Sequence, residues 1–292
     1  MITRLDGPVV VAVDGTEDAM RAVGYGALEA SRQGRSLLLV HVLHETVAWT
    51  PAVPAFTHET LHAAGAAYLE DAVTVADELT DGDLDIQVKL EHGPRVPMLL
   101  EHATDASLVV VGTRHATWKR VATGSTSVSL AARAVCPVVC VPGAWSSSIV
   151  HGRVLVGLDG STLSEDVLAT AFEEAQSRGA SLAVLHAWRP RMVYDATTAL
   201  LVEGEWRRLA TISLERMLDV QQAAHPDVKC SLELHHQPPA DTLTRATADT
   251  DLVVLGRRGH GGALGLHLGG VARTLIRTSS CPVETVPVPQ EA

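Results

Sequence analysis

The fold of this chain is indicated by the stretch Asp251-Leu-Val-Val-Leu-Gly256-Arg-Arg-Gly259-His-Gly-Gly-Ala-Leu-Gly-Leu-His-Leu-Gly269-Gly270-Val-Ala-Arg. It runs from an apolar, β-branched segment through a glycine-rich loop into an amphipathic segment. Strand, glycine loop and helix in this order build anion sites in α/β proteins. Glycine lets the backbone approach a phosphate, and the N–H groups at the start of the helix point at it. The stretch therefore predicts a phosphate-binding loop.

The same order of segments occurs twice along the chain. Val9-Val-Val-Ala-Val-Asp14-Gly matches Val154-Leu-Val-Gly-Leu-Asp159-Gly, and the two aspartates are 145 positions apart. Five further pairs keep that offset: Gly34 and Gly179, His41 and His186, Cys136 and Cys281, Pro137 and Pro282, Pro142 and Pro287. Such regularity predicts a duplication. We expect one domain over residues 1–143, a small polar linker over 144–152 and a second domain over 153–292.

Continuous apolar runs alternate with helical patterns in each half, which is typical of a parallel sheet covered by helices. The first half predicts strands over 8–14, 36–42, 85–91, 108–112 and 137–141, and helices over 17–33, 57–79, 96–103 and 125–134. The predicted fold class is α/β: two tandem doubly wound domains, each a five-stranded mostly parallel sheet with helices on both faces. Ligands of such sheets bind at the carboxyl ends of the strands, where the strand order switches. Asp14 and Asp159 end the first strands and Gly112 and Gly256 the fourth, so we expect each aspartate to meet its glycine loop.

The composition narrows the function classes. The 292 residues carry a formal net charge of −11, which argues against a cationic nucleic-acid surface. The N-terminal segment lacks the apolar region of a signal peptide, and no apolar run approaches the ~20 residues of a membrane span. We therefore expect a cytoplasmic protein with no nucleic-acid partner and no membrane span.

At the level of motifs, each half resembles a universal stress protein domain. ATP-binding members of that family carry G-x2-G-x9-G-[ST] after the fourth strand. The second half has Gly256, Gly259 and Gly269 at this spacing, with Gly270 where the family has Ser or Thr. The first half departs further, since His115 replaces the second glycine and the interval before its Gly124-Ser125 pair is one residue short. Cys-Pro-Val at the start of each last strand also resembles the family.

The resemblance implies an ATP-binding protein, with Mg accompanying the nucleotide, that acts in stress adaptation or nucleotide-linked signalling and assembles as a homodimer. The implied ligand-binding residues of the second half are Asp159, Ala187, Gly256, Arg257, Gly259, Gly269 and Gly270. Those of the first half are Asp14, Val42, Gly112, Gly124 and Ser125. The aspartates would contact the nucleoside, and the backbone of Ala187 and Val42 would contact adenine. Since the chain lacks both G-K-[ST] and G-x-S-x-G, we expect little or no ATP hydrolysis and assign no catalytic residue.

Several alternatives stay open at this point. The glycine loops could be surface turns of a non-nucleotide interaction scaffold that binds a protein partner. Asp14 and Asp159 could cap the following helices, and His41 and His186 could be packed structural histidines. His58-Glu59-Thr-Leu-His62 spells the H-E-x-x-H of zinc hydrolases, which makes a metal-dependent hydrolase a minor alternative.

Overall fold

The computed structural model describes residues 5–43, 58–113, 126–161, 164–188, 196–259 and 268–287, without the side chains of 58 and 196–202. The chain divides into two compact units between Ser147 and Ser148, a point inside the predicted linker. We call the unit that precedes this point domain 1 and the unit that follows it domain 2. The exact ends of the two domains stay a prediction.

Domain 1 is a parallel sheet covered by helices. Its strands are Val9–Val13 (β1), Leu37–Leu43 (β2), Ile86–His92 (β3), Leu108–Thr113 (β4) and Val138–Pro142 (β5). Its helices are Glu17–Gln33 (α1), His58–Thr80 (α2), Arg95–His102 (α3) and Thr126–Arg133 (α4). The strand order is β3-β2-β1-β4-β5, and every pair is parallel.

Domain 2 repeats this plan. Its strands are Arg153–Gly157 (β6), Ser181–Ala187 (β7), Cys230–His235 (β8), Leu252–Gly256 (β9) and Val283–Val286 (β10). Its helices are Ser164–Arg178 (α5), Ala196–Ala224 (α6), Pro239–Ala246 (α7) and Gly270–Thr278 (α8), with a 3-10 turn at Thr247–Asp249. The order is β8-β7-β6-β9-β10, again parallel throughout. The predicted fold class is confirmed.

Burial explains why these segments form strands. Val9, Val10 and Val11 of β1 have no exposed surface, because helices cover both faces of the sheet. In domain 1, α1 packs against α2, and α3 packs against α4, which gives one helical layer on each face. The cores are built mainly from Val, Leu and Ala, as the low aromatic content predicts. Removing this apolar surface from water is the dominant driving force for folding.

The strand order places one switch point in each domain. In domain 2, β6 lies between β7 and β9, so the chain leaves β6 toward one side and later returns on the other. The pairing of Gly157 with Leu255 brings the carboxyl ends of β6 and β9 side by side. The residues that follow these two strands therefore share one crevice, where doubly wound sheets bind their ligands.

Candidate functional site

The Asp159 carboxylate is held in a fixed orientation at the end of β6. Its Oδ1 accepts hydrogen bonds from the backbone N–H of Ser161 (3.0 Å) and from Oγ of Ser164 (3.1 Å), the first residue of α5. Gly160 turns the chain between them with a φ of +77°, in the left-handed region that favours glycine. The carboxylate is thereby ordered before any ligand arrives.

A cavity of about 350 Å³ opens at the switch point of domain 2. Nearly all of the predicted ligand-binding residues of this domain line it: Asp159, Ala187, Gly256, Gly259, Gly269 and Gly270. These residues come from the ends of β6, β7 and β9 and from the start of α8. The glycine loop and the aspartate, about a hundred positions apart in sequence, thus meet in one cavity.

The start of α8 forms one wall of this cavity. Gly269 is the N-cap residue, and no side chain of the helix start accepts a hydrogen bond from the first turn. Gly270, Val271 and Ala272, whose N–H groups have no partner within the helix, all line the cavity. These N–H groups and the helix dipole make this wall electropositive.

Gly259 lies against the Asp159 carboxylate. A Cβ atom added at Gly259 would lie 2.7 Å from Oδ2 of Asp159, closer than real Cβ contacts allow. The absence of a side chain at this position therefore lets the glycine loop approach the aspartate. The second position of the sequence motif therefore needs a glycine because a side chain there would overlap the Asp159 carboxylate. The spacing of the motif alone does not show this.

Ala187 presents its backbone to the cavity. Alternate residues of a strand point their N–H and C=O groups to opposite neighbours. Leu185 accepts from the N–H of Leu158 on the β6 side, whereas Trp188 donates to His235 on the β8 side. The N–H and C=O groups of Ala187 therefore point to the β6 side, just past the hydrogen bond between Leu158 and Leu185. There they can contact a planar heterocycle.

The two adjacent arginines after β9 differ in location. Arg257 is buried, with 8% of its surface exposed, and it does not line the cavity. Arg258 is exposed and does line it. The family resemblance implied Arg257 as a ligand-binding residue and did not assign Arg258 to the ligand. A role for Arg257 in binding stays a prediction, but Arg258 is the arginine that the structure places at the cavity.

Sequence reasoning also missed the wall contributed by α7. Pro239 and Leu243 line the cavity together with Val167 of α5 and Leu255 of β9. No motif marks Pro239 or Leu243, because their contribution depends on where α7 crosses the end of the sheet. These apolar side chains give one part of the cavity the character of a site for a nucleobase or another flat apolar group.

Domain 1 repeats the aspartate turn with other partners. Oδ1 of Asp14 accepts from the backbone N–H of Thr16 (3.2 Å) and from its Oγ (2.5 Å). Thr16 itself is the N-cap of α1, accepting from the N–H of Ala19 at 3.3 Å. The aspartate therefore does not cap the helix directly. The alternative reading of Asp14 as a helix cap is replaced by a role in orienting the residue that caps.

The surroundings of this turn in domain 1 are more crowded. A Cβ atom added at Gly15 would lie 2.6 Å from the ring of Tyr68, which α2 places over the turn. Among the described residues, the equivalent Cβ at Gly160 would meet only His186, at 3.9 Å. The two domains therefore share the Asp-Gly turn but differ in what covers it.

The other predicted residues of domain 1 lie partly outside the described structure. Gly124 and Ser125 fall outside the described residues. Gly112 is described, and a Cβ atom there would lie 2.3 Å from the carbonyl oxygen of Asp18 in α1. This glycine is therefore required by helix packing. Val42 is 4% exposed at the end of β2.

The H-E-x-x-H segment lies at the start of α2. The side chain of His58 lies outside the described residues, and the ring of His62 stacks on that of His92 with centroids 6.1 Å apart. Among the described residues, no three His, Cys, Asp or Glu side chains are arranged to hold a metal ion. In the described part of the chain, no helix combines the length and apolarity needed to cross a membrane.

Comparison with known proteins agrees with the two-domain geometry. The family model described as "Universal stress protein family" matches residues 7–142 and residues 151–287. The chain belongs to the universal stress protein family. It carries two such domains in tandem, as the sequence predicts.

Similar universal stress proteins occur in Mycobacterium tuberculosis. One is 34% identical to this chain over 284 residues, covering 94% of this chain and 95% of the relative. Another is 31% identical, with 97% and 96% covered. The crystal structure of a universal stress protein from Archaeoglobus fulgidus matches with a TM-score of 0.70 over 99% of this chain and 98% of that chain. At 16% identity, that likeness shows the fold alone.

Proposed function

We propose that this tandem universal stress protein binds ATP, with Mg²⁺ accompanying the phosphates, in the cavity of domain 2. The observation that carries the proposal is the meeting of the fixed Asp159 carboxylate and the uncapped start of α8 in one cavity. One wall thus offers an acceptor for hydroxyl groups and another offers donors for an anion. A nucleotide carries both kinds of group.

The phosphates would bind at the start of α8. The backbone N–H groups of Gly270, Val271 and Ala272 are available to phosphate oxygens. A Cβ atom added at Gly270 would meet none of the described residues within 4 Å, so none of them blocks the approach to these donors. Arg258, which lines the cavity, adds positive charge that partly offsets the acidic total of the protein.

The nucleoside would bind between β6, β7 and α7. Asp159 would accept hydrogen bonds from the ribose hydroxyls, because its Oδ1 is already oriented by Ser161 and Ser164. The backbone of Ala187 would contact the edge of adenine, and Leu243 would cover part of the base. In this arrangement Asp159 serves binding, and we expect hydrolysis to be slow or absent.

The biological role would be stress adaptation or nucleotide-linked signalling in the cytoplasm by a homodimer. ATP occupancy would change the surface that domain 2 offers to a protein partner. The acidic net charge of −11 fits a protein partner better than a nucleic acid. For domain 1 we propose a weaker nucleotide site at Asp14, because the Tyr68 ring lies over the adjacent turn.

The proposal is tested by isothermal titration of the full chain with ATP and Mg²⁺. Gly269→Glu should abolish binding to domain 2, because a carboxylate would then project beside the phosphate donors. Gly204→Glu is a matched control: it makes the same change on α6, at an exposed glycine whose added Cβ would meet no described residue within 4 Å. The control should bind like the unaltered protein. If the tighter of the two sites survives Gly269→Glu, the phosphate assignment is refuted, whereas weak residual binding would belong to domain 1. No binding by the unaltered protein would favour the interaction scaffold.

A further inference from the structure

A buried histidine lies directly behind the Asp159 turn. His186, the last but one residue of β7, is 7% exposed. Its Nδ1 lies 2.8 Å from the carbonyl oxygen of Leu158, the residue that precedes Asp159. A carbonyl oxygen can only accept, so Nδ1 carries the proton and donates. This hydrogen bond ties the end of β7 to the end of β6 at the residue before the carboxylate.

The imidazole ring is held in place from both sides. On one side, its Cε1 lies 3.9 Å from the position of a Cβ atom added at Gly160, so the ring underlies the Asp-Gly turn. On the other, it stacks on Trp206 of α6, with centroids 5.4 Å apart and planes at 22°. Trp206 in turn stacks on Trp188, with centroids 5.0 Å apart and planes at 15°. This stack fixes the plane of the ring and hence the direction of the Nδ1–H bond.

Together these contacts restrain Asp159 from both directions along the chain. The residues that follow it, Ser161 and Ser164, donate to its carboxylate. The residue that precedes it is tied by its carbonyl to His186. Loss of the His186 bond would free the upstream side of the turn and also leave the Leu158 carbonyl without this partner in a buried setting.

We infer that His186 is a positioning residue for the nucleotide site: its Nδ1–H holds the Asp159 turn so that the carboxylate meets the ribose hydroxyls. The inference rests on the proposed function, because it concerns the ribose contact of that site. It differs from a merely structural role, which would change stability without changing how the site distinguishes ligands with and without ribose hydroxyls.

Domain 1 contains the same hydrogen bond. Nδ1 of His41 lies 2.8 Å from the carbonyl oxygen of Val13, the residue before Asp14. The ring there meets Tyr68 edge-on, with centroids 5.5 Å apart and planes at 71°, in place of the stacked tryptophan. The hydrogen bond thus recurs where the packing around the ring differs. His41 therefore supplies a matched control for substitutions of His186.

The test compares ATP with 2′,3′-dideoxy-ATP, which has no ribose hydroxyls, on the full chain. The measured quantity is the dissociation constant of 2′,3′-dideoxy-ATP divided by that of ATP, at the tighter site, which we assign to domain 2. For the unaltered protein we expect ATP to bind about tenfold more tightly, the effect of one hydrogen bond to a carboxylate at the lower end of its range. The ratio does not depend on the fraction of folded protein, since both ligands bind the same folded molecules.

Four variants test the role of the Nδ1–H group, three at His186 and one at His41. His186→Phe keeps a ring but removes the donor, and the ratio should fall to about 1. His186→Asn places an amide N–H near the position of Nδ1 and should restore most of the ratio. His186→Gln places its amide further out, near the position of Nε2, and should behave like His186→Phe, which keeps the test valid even if the Phe variant fails to fold. His41→Phe should leave the ratio at the tighter site, in domain 2, unchanged.

The outcomes separate this inference from the proposed function. If Asp159 contacts ribose, Asp159→Ala should lower the ratio to about 1. If Asp159→Ala lowers the ratio to about 1 but His186→Phe and His186→Gln leave it near its original value, the positioning role is overturned and the proposed function stands. If Asp159→Ala keeps the ratio, or if the unaltered protein binds neither nucleotide, the ribose assignment fails and the inference fails with it.

Discussion

The open space at Gly270 allows a gain-of-function prediction. This residue is exposed, begins α8 and stands where the family motif has Ser or Thr. In the part of the chain that the structure describes, a Cβ atom there meets nothing within 4 Å, so a serine displaces none of those residues. We predict that Gly270→Ser increases the affinity of domain 2 for ATP by supplying a hydroxyl donor to the phosphates.

The expected gain follows from two separable contributions. Replacing glycine in a helix interior stabilises the helix by up to about 1 kcal/mol for alanine and by less for serine. A hydrogen bond to a charged group adds about 1.5–3 kcal/mol when buried, and exposure at the helix start favours the lower end of that range. We therefore expect Gly270→Ser to bind ATP about tenfold more tightly than Gly270→Ala, since about 1.4 kcal/mol is a factor of ten.

The assay is isothermal titration of ATP and Mg²⁺ into the unaltered protein, Gly270→Ala and Gly270→Ser. Gly270→Ala is the matched control because it shares the effect on the helix and lacks the hydroxyl. Thermal denaturation of the ligand-free proteins should show both variants folded, with stabilities that differ by no more than roughly 0.5 kcal/mol. A Ser variant that binds ATP no more tightly than the Ala variant would refute the assignment of the α8 start to phosphate.

Three further predictions concern Gly259, the two turn glycines Gly160 and Gly15, and the buried thiol of Cys140. Gly259→Ala places a Cβ 2.7 Å from Oδ2 of Asp159, so the carboxylate must move; titration should show ATP affinity about tenfold lower, and unchanged affinity would contradict the ribose contact. Gly160→Ala should cost about 1–2 kcal/mol in urea unfolding because its φ is +77°. Gly15→Ala, at a φ of +74°, should cost roughly 1–3 kcal/mol more, because its Cβ would overlap a tyrosine ring at 2.6 Å; equal costs would count against the described packing. Burial raises the pKa of the Cys140 thiol from 9.0 to about 12, so the stability gained from keeping it neutral is present below pH 9 and is lost as pH rises toward 12. Between pH 8 and 10.5 the unaltered protein should lose roughly 1–2 kcal/mol more unfolding free energy than Cys140→Ala, and equal losses would show that this thiol ionises normally when folded.

The strands could be predicted closely from the sequence because they are buried on both faces. Parallel strands under two helical layers appear as uninterrupted apolar runs, which have clear ends. The predicted strand over 36–42 lies at Leu37–Leu43, and that over 85–91 lies at Ile86–His92. The β3 strand is half-exposed, yet its alternating pattern was sufficient to locate it. Duplication helped further, since each half confirmed the pattern of the other.

The details of the site could not be predicted because they depend on contacts between distant segments. Arg257 and Arg258 are adjacent and chemically identical, and only the packing of the loop after β9 decides that the second lines the cavity. Tyr68 carries no motif, and its position over Gly15 follows from how α2 crosses β1. The role of Thr16 as cap of α1 likewise depends on the turn that Asp14 stabilises.

The steric surroundings of the motif glycines divide them into two kinds. A methyl group at Gly112 would collide with the backbone of α1, and one at Gly256 would lie 3.1 Å from the carbonyl oxygen of Arg258. A methyl group at Gly269 would make only ordinary contacts, the nearest 3.5 Å from the carbonyl oxygen of Arg257, and one at Gly270 would meet none of the described residues within 4 Å. A sequence motif that weights every glycine equally therefore combines a requirement of the fold with a requirement of ligand binding. The first glycine reports that the fold is correctly assembled, whether or not a nucleotide ever binds. Only the later pair reports on the ligand, and predictions of ATP binding across such proteins would gain by scoring that pair alone.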